Sequence, residues 1–268
     1  MGSCARHSNG QPAQKRVTVS KLRVLISAVS LSLACLLAVN VQGASAAEFD
    51  SSQQKAIEKI VHDYIVKNPE VLIEAMSELD AKQAAADKKK QSDAIAKYHK
   101  QIFEDPTSYV AGNPKGDVTI VEFFDYNCGF CKRTFAPLMN TLKDDGNVRL
   151  ILKEFPILGP TSVIATRATM AAKKQGKYFD MHKALYLHKG SLDEASIMDL
   201  AKAIGIDTVK LRQDMKDPEI QKTIDRDEKL ATELGITGTP SFIIGGKPHP
   251  GAMNEDELKA AIRAARAG

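Results

Sequence analysis

Two cysteines three positions apart, Cys128 and Cys131, enclose Gly129 and Phe130 and are followed at once by Lys132 and Arg133. Such a pair serves as a redox-cycling disulfide, as part of a metal site, or as a structural staple. A staple gains little here, because so small a loop removes little entropy from the unfolded chain. A zinc or iron–sulfur site needs further thiolate or imidazole ligands. The sequence offers no second pair, and His62, His99, His182, His188 and His249 form no ligand cluster at helical spacing. No metal ligands are therefore assigned, although two thiolates would suit a soft metal such as copper or zinc. The flanks favour redox chemistry: the apolar run from Val118 leads directly into the motif. A cysteine at a helix start meets unpaired N–H groups and the helix dipole, which stabilise a thiolate. Cys128 is the predicted nucleophile and Cys131 its resolving partner.

Positioning such a pair requires a strand before it and a helix after it. The pattern predicts a strand from Val118 to Asp125, a helix from about Cys128 to Lys143, and a strand from Val148 to Phe155. A short crossover of this kind makes the two strands parallel in an α/β sheet. Pro137 is expected to kink the helix, since its ring removes a donor and crowds the preceding turn. Residues 159–234 read as an all-helical insertion, after which Ser241 to Ile244 returns to strand, Gly245-Gly246-Lys247-Pro248 turns, and Asn254 caps a final amphipathic helix. Upstream, residues 48–105 contain no glycine and read as helix, with Ile57, Ile60, Val61, Tyr64 and Ile65 on one face. Asn68-Pro69-Glu70 is read as an N-cap, a first-turn proline and an early acid opening a second helix that carries Val71, Leu72, Ala75, Met76 and Leu79. That stripe is too thin for the helices to bury alone. The reading preferred is a stalk pairing with copies of itself, making the protein a homo-oligomer through residues 48–105; a helical extension folded back on the main domain is the alternative.

The N-terminus carries Lys15, Arg16, Lys21 and Arg23, an apolar run from Val24 to Val41, and Ala44-Ser45-Ala46 before Ala47. These features predict a cleaved secretory signal over residues 1–46, with an uncleaved inner-membrane anchor as the alternative. Cleavage removes Cys4 and Cys35, leaving the dithiol as the only cysteines, and turns the formal charge from +4 to slightly negative. The basic balance thus belongs to targeting, and nucleic acid is excluded as an expected partner. The organisation expected is residues 1–46 signal, 47–110 stalk, and 111–268 catalytic domain containing the insertion.

Glu-Phe-Phe-Asp-Tyr-Asn-Cys-Gly-Phe-Cys-Lys, ending at Lys132, and Gly238-Thr239-Pro240-Ser241-Phe242 together resemble the DsbA family of thioredoxin-fold thiol-disulfide oxidoreductases, from about Gly116 to the C-terminus. The resemblance implies a thioredoxin fold with an inserted helical domain and no cofactor. It implies that Pro240 is cis against the dithiol, with the Thr239 backbone open to an extended substrate. Glu122 matches the family's buried acid, which relays the proton of the resolving cysteine; Lys153 on the next strand is the implied charge partner. An acid among Val121 and Phe123 should have a raised pKa. Phe130 stands where strongly oxidising members have His, and Cys-Gly-aromatic-Cys is similar to periplasmic disulfide isomerases; the stalk is similar to ScsC-type proteins. The expected function is a periplasmic protein-disulfide oxidoreductase, leaning to isomerase, with exported cysteine-containing proteins as substrates and a membrane redox partner recharging the site. A copper-binding protein using the same dithiol is the rival, and an inert structural role the third option.

Overall fold

The computed structural model describes residues 49–268; the predicted signal, with Cys4 and Cys35, lies outside them. Contacts divide the chain into two units meeting between Glu74 and Ala75. In the first, helix α1 (Ser51–Lys67) opens on a capping box: the Asp50 carboxylate accepts from the N–H groups of Ser52 and Gln53, and Gln53 answers the Asp50 N–H. Helix α1 buries none of its residues, and Ile57, Ile60, Val61 and Tyr64 are exposed. Asn68 does not open the next helix as expected. Its amide donates instead to the Tyr64 carbonyl, closing α1, and α2 (Glu70–Lys97) starts beyond Pro69. The asparagine serves the orphan carbonyls of the preceding helix rather than the orphan N–H groups of the following one.

The second unit is built on a five-stranded sheet. Its strands are β1 (Tyr109–Gly112), β2 (Val118–Phe124), β3 (Val148–Glu154), β4 (Ser241–Ile244) and β5 (Lys247–Pro250), in the order β1-β3-β2-β4-β5. Strands β2 and β3 are parallel, as the crossover predicts, and every other pairing is antiparallel. Helix α4 (Gly129–Asp145) makes that crossover and runs on through Pro137. The helical insertion, α5 (Pro160–Ala172), α6 (Tyr178–Leu187), α7 (Glu194–Ala203), α8 (Thr208–Asp214) and α9 (Pro218–Glu233), connects β3 to β4. Helix α10 (Glu255–Ala267) closes the chain behind the Asn254 capping box.

Two short edge strands escaped the sequence reading. At Gly112 the φ is +69°, and a Cβ would lie 2.5 Å from the Val148 carbonyl oxygen, so only glycine lets β1 meet β3 there. Gly245 and Gly246, with φ of 55° and 78°, form the whole of a two-residue hairpin turn, so Lys247 and Pro248 already belong to β5.

The sheet buries both faces. Ile120, Phe124, Leu150 and Leu152 pack with Leu138 of α4, Leu258 and Ile262 of α10, and the insertion. Val121, Phe123 and Ile151 pack on the other side with Leu230 and Leu234, and with Ile95 of α2 and Ile102 of α3 (His99–Phe103). Within the stretch expected as stalk, Ile95 of α2 and Ile102 of α3 are buried against the sheet. Among the described residues no helix is long and apolar enough to cross a membrane.

Candidate active site

The strand β2 ends at Phe124, and the three residues Asp125-Tyr126-Asn127 carry the chain to Cys128, the N-cap of α4. Both thiols are free and buried, Cys128 at 5% exposure and Cys131 at none. The Cys128 sulfur has two kinds of partner. As a thiol it donates to the Thr239 carbonyl at 3.1 Å; as a thiolate it accepts from the Cys131 N–H at 3.4 Å. The Cys131 thiol donates to it as well and is the largest influence lowering its pKa; burial opposes this, and Thr239 and the N–H groups of Cys131 and Phe130 reinforce it. The net result is a pKa of about 5. Cys131 moves the other way: burial, donation to Cys128 and the nearby Glu122 charge hold its proton far above the ordinary thiol range. The pair is thus one ready nucleophile and one protected thiol.

The Thr239–Pro240 peptide is cis, as the resemblance implied, and it leads into β4 beside β2. Phe130, 56% exposed, stands at the rim with the Arg133 guanidinium 4.2 Å above its ring. Glu122 is buried at 3% exposure on the same face of β2 as Ile120 and Phe124; burial first, then the Cys128 charge, raises its pKa to about 8. Among the described residues its side chain forms no hydrogen bond or ion pair with another protein group.

The Glu122–Lys153 pairing expected from sequence does not form. Glu122 is paired in register with Leu152, and Lys153 with Phe123, so the acid and the base point to opposite faces of the sheet. Lys153, wholly buried, binds Asp105 at 2.9 Å and Asp227 at 3.2 Å. Asp105 is pushed up by burial, but Lys153 and Thr107 overcome this and hold it at about 2; Asp227 is raised by burial to about 6 against the pull of Lys153. Lys153 thus joins β3 to the segment after α3 and to α9 and takes no part in the dithiol.

Several polar groups at the site were missed. Asp125, with no exposure, accepts from the Asn127 N–H at 2.7 Å, the Ser162 hydroxyl at 2.7 Å and the Leu158 N–H at 2.9 Å. Tyr126 approaches Glu154 at 3.4 Å and His182 at 3.0 Å, and Glu154 also accepts from Tyr178 and Thr166. Burial raises Glu154 to about 8 and lowers His182 to about 3. Only Asp125-Tyr126-Asn127, a polar break between an apolar strand and a redox motif, could have pointed to these contacts. Among the described residues no three His, Cys, Asp or Glu side chains are gathered as metal ligands.

Residues 119–263 match the family model described as the DSBA-like thioredoxin domain, and residues 53–86 match the N-terminal domain of copper resistance protein ScsC. Among solved structures, a thioredoxin-like oxidoreductase from Silicibacter pomeroyi DSS-3 is 43% identical, with TM-score 0.62, covering 63% of this chain and 98% of that one. Proteus mirabilis ScsC in a transitional conformation is 32% identical, with TM-score 0.60, covering 83% of this chain and 99% of that one. The thiol-disulfide exchange protein alpha-DsbA2 from Wolbachia pipientis is 34% identical, with TM-score 0.63, covering 67% and 97%. Curated relatives include the Na(+)/H(+) antiporter NhaA 1 of Salinispora arenicola, 30% identical over 162 residues, 60% of this chain and 25% of that protein. The chain spans about a quarter of the length of the curated relatives it matches, so the likeness concerns one part of those proteins. With a parallel β2–α4–β3 core, a dithiol at the start of α4, a cis proline before β4 and a helical insertion between β3 and β4, the chain belongs to the DsbA-like thioredoxin-domain family of thiol-disulfide oxidoreductases.

Proposed function

We propose that this protein exchanges disulfides with cysteine-containing exported proteins in the periplasm, working as an isomerase or reductase more than as a strong oxidant. One observation carries the reading: Cys128 is held as a thiolate while Cys131, one turn on, keeps its proton. Reduced Cys128 attacks a substrate disulfide; a bond forms between the two sulfurs, and the substrate's other sulfur leaves as a thiolate. Isomerisation is complete when that thiolate, or another in the substrate, displaces Cys128. In net reduction Cys131 gives up its proton and attacks Cys128, releasing the substrate thiol and leaving the Cys128–Cys131 disulfide, which a membrane redox partner must reduce. Pro240 and the Thr239 backbone would hold the substrate strand, and Phe130 would meet its flanking side chains.

The isomerase lean is supported by a Cys128 pKa of about 5, between roughly 3.5 for strongly oxidising DsbA and about 7 for thioredoxin. It is supported also by the exposed apolar residues of α1, which fit self-association into a homo-oligomer, and by the match of residues 53–86 to the ScsC N-terminal domain. The periplasmic location rests on the predicted leader and on likeness to proteins such as a periplasmic thioredoxin-like protein from Salmonella enterica serovar Typhimurium. The deciding experiment measures the reduction potential of the pair beside two activities, insulin reduction and recovery of scrambled ribonuclease. Full activity in a Cys128→Ala variant removes the whole proposal; oxidation of reduced substrates without isomerisation removes the lean. The matched model's description as a copper resistance protein favours a second reading, Cu(I) held by the two thiolates. It requires stoichiometric copper on the reduced protein and weak thiol turnover.

A further inference from the structure

The approach to Cys128 is gripped by the helical insertion. Ser162, in the first turn of α5 and with no exposure, donates its hydroxyl to Asp125 at 2.7 Å and accepts from the Asn127 amide at 2.9 Å. Asn127 donates also to the Thr161 hydroxyl at 2.9 Å. Asp125 completes the link, since its carbonyl accepts the Cys128 N–H at 3.1 Å. One hydroxyl therefore ties both polar residues of the loop to a helix that lies outside the sheet. We propose that Ser162 is a positioning residue for the dithiol: by bridging Asp125 and Asn127 it fixes the loop that sets the Cys128 sulfur against Thr239 and Cys131.

The physical case is one of geometry. As a thiolate Cys128 accepts the Cys131 N–H at 3.4 Å, a distance at which a small displacement of the sulfur removes most of the interaction. Without the Ser162 hydroxyl, buried Asp125 loses one of its three donors, and the loop that begins three residues before the reacting sulfur is held less firmly. A loosened loop lets the sulfur drift from the Cys131 N–H, which disfavours the Cys128 thiolate. The inference rests on Cys128 being the reacting thiol, but its test reads ionisation and not turnover, so absence of catalysis in the wild-type protein would remove the proposed function and leave this arm readable.

The test is titration of the Cys128 thiolate by its absorbance near 240 nm in fully reduced protein, with the reduction potential measured in parallel. Ser162→Ala should raise the titration midpoint, lowering the thiolate-to-thiol ratio about threefold or more below pH 6, as expected when part of one buried hydrogen bond is lost, and should make the pair less oxidising. Ile206→Val, which trims a buried side chain elsewhere in the insertion, controls for loss of stability: it should lower the melting temperature and leave the midpoint in place. An unchanged midpoint in folded Ser162→Ala, or an equal shift in Ile206→Val, overturns the inference. Should Ser162→Ala fail to fold, the half-buried Thr161→Ala decides instead; it removes one acceptor of Asn127, and an unchanged midpoint there overturns the inference equally.

Discussion

Glu122→Gln should stabilise the protein in a strongly pH-dependent way. In the folded chain the carboxyl holds its proton up to about pH 8, against an ordinary 4.5, and the first cause is burial among apolar side chains. A carboxyl with raised folded pKa binds protons more tightly in the native than in the unfolded state between those values, so stability falls as pH rises through that window and levels off above it. At about 1.4 kcal/mol for each tenfold difference in proton affinity, the ceiling is about 5 kcal/mol. Water entering around the ionised acid relaxes the penalty, and half of the ceiling, about 2.5 kcal/mol, is still easily measured. Glutamine is nearly the same size and cannot ionise. The assay is urea unfolding of both proteins at several pH values from 5 to 8.5, reduced and oxidised. Glu154, similarly raised, is common to both proteins and cancels in the difference. The variant should match wild type near pH 5 and exceed it progressively towards pH 8. The gain should be smaller when oxidised, because the Cys128 charge, the second cause, is then absent. A difference independent of pH would refute the reasoning.

Other outcomes follow from the same groups. Iodoacetamide should alkylate Cys128 with a half-maximal rate near pH 5, since the thiolate is the reacting form; a midpoint above pH 8 would contradict the site as described. Lys153→Met leaves Asp105 and Asp227 buried without their cation, and should cost about 3–5 kcal/mol in urea unfolding at pH 8. The loss should shrink towards pH 5 as Asp227, already raised to about 6, takes up a proton; an equal loss at both pH values counts against this. Removing residues 49–86 should abolish self-association in sedimentation while keeping thiol exchange. Extending the cut to 105 also strips Ile95 and Ile102 from the core, about 3–6 kcal/mol of burial, and should collapse cooperative unfolding. An intact melting transition in the longer truncation would refute the role of Ile95 and Ile102 in the core.

The parts of this molecule legible in the sequence were those set by local chemistry. The dithiol at a helix start, the parallel strand pair, the Asn254 cap and the insertion's helices depend on residues close in the chain, and each lies within a few positions of its expectation. Edge strands β1 and β5 were opaque because four residues with glycines and prolines carry no alternation to read; their pairing partners decide them. Gln91 to Phe103 reads as more stalk because its few apolar residues are sparse, and only the apolar sheet face of Val121, Phe123 and Ile151 explains why Ile95 and Ile102 are buried. Asp125 and Ser162, brought together from 37 residues apart, left no mark on periodicity.

Lys153 shows a further limit, and its displacement changes the chemistry open to Glu122. Two residues on paired strands look like partners, yet a register of Glu122 with Leu152 puts the next position on the far face. Glu122 is thereby left without a cation, and its proton affinity answers to burial and to the charge on Cys128. In the proposed reaction that charge vanishes when Cys128 enters a mixed disulfide. The repulsion holding the proton on Glu122 then disappears, so the acid ionises more readily at the step when Cys131 must lose its own proton. Under the proposed function, a Glu122 carboxylate would at that moment accept the Cys131 proton, and the resulting thiolate would attack Cys128 and release the substrate sulfur. In the proposed function the unpaired acid would be available as a base after the nucleophile has reacted.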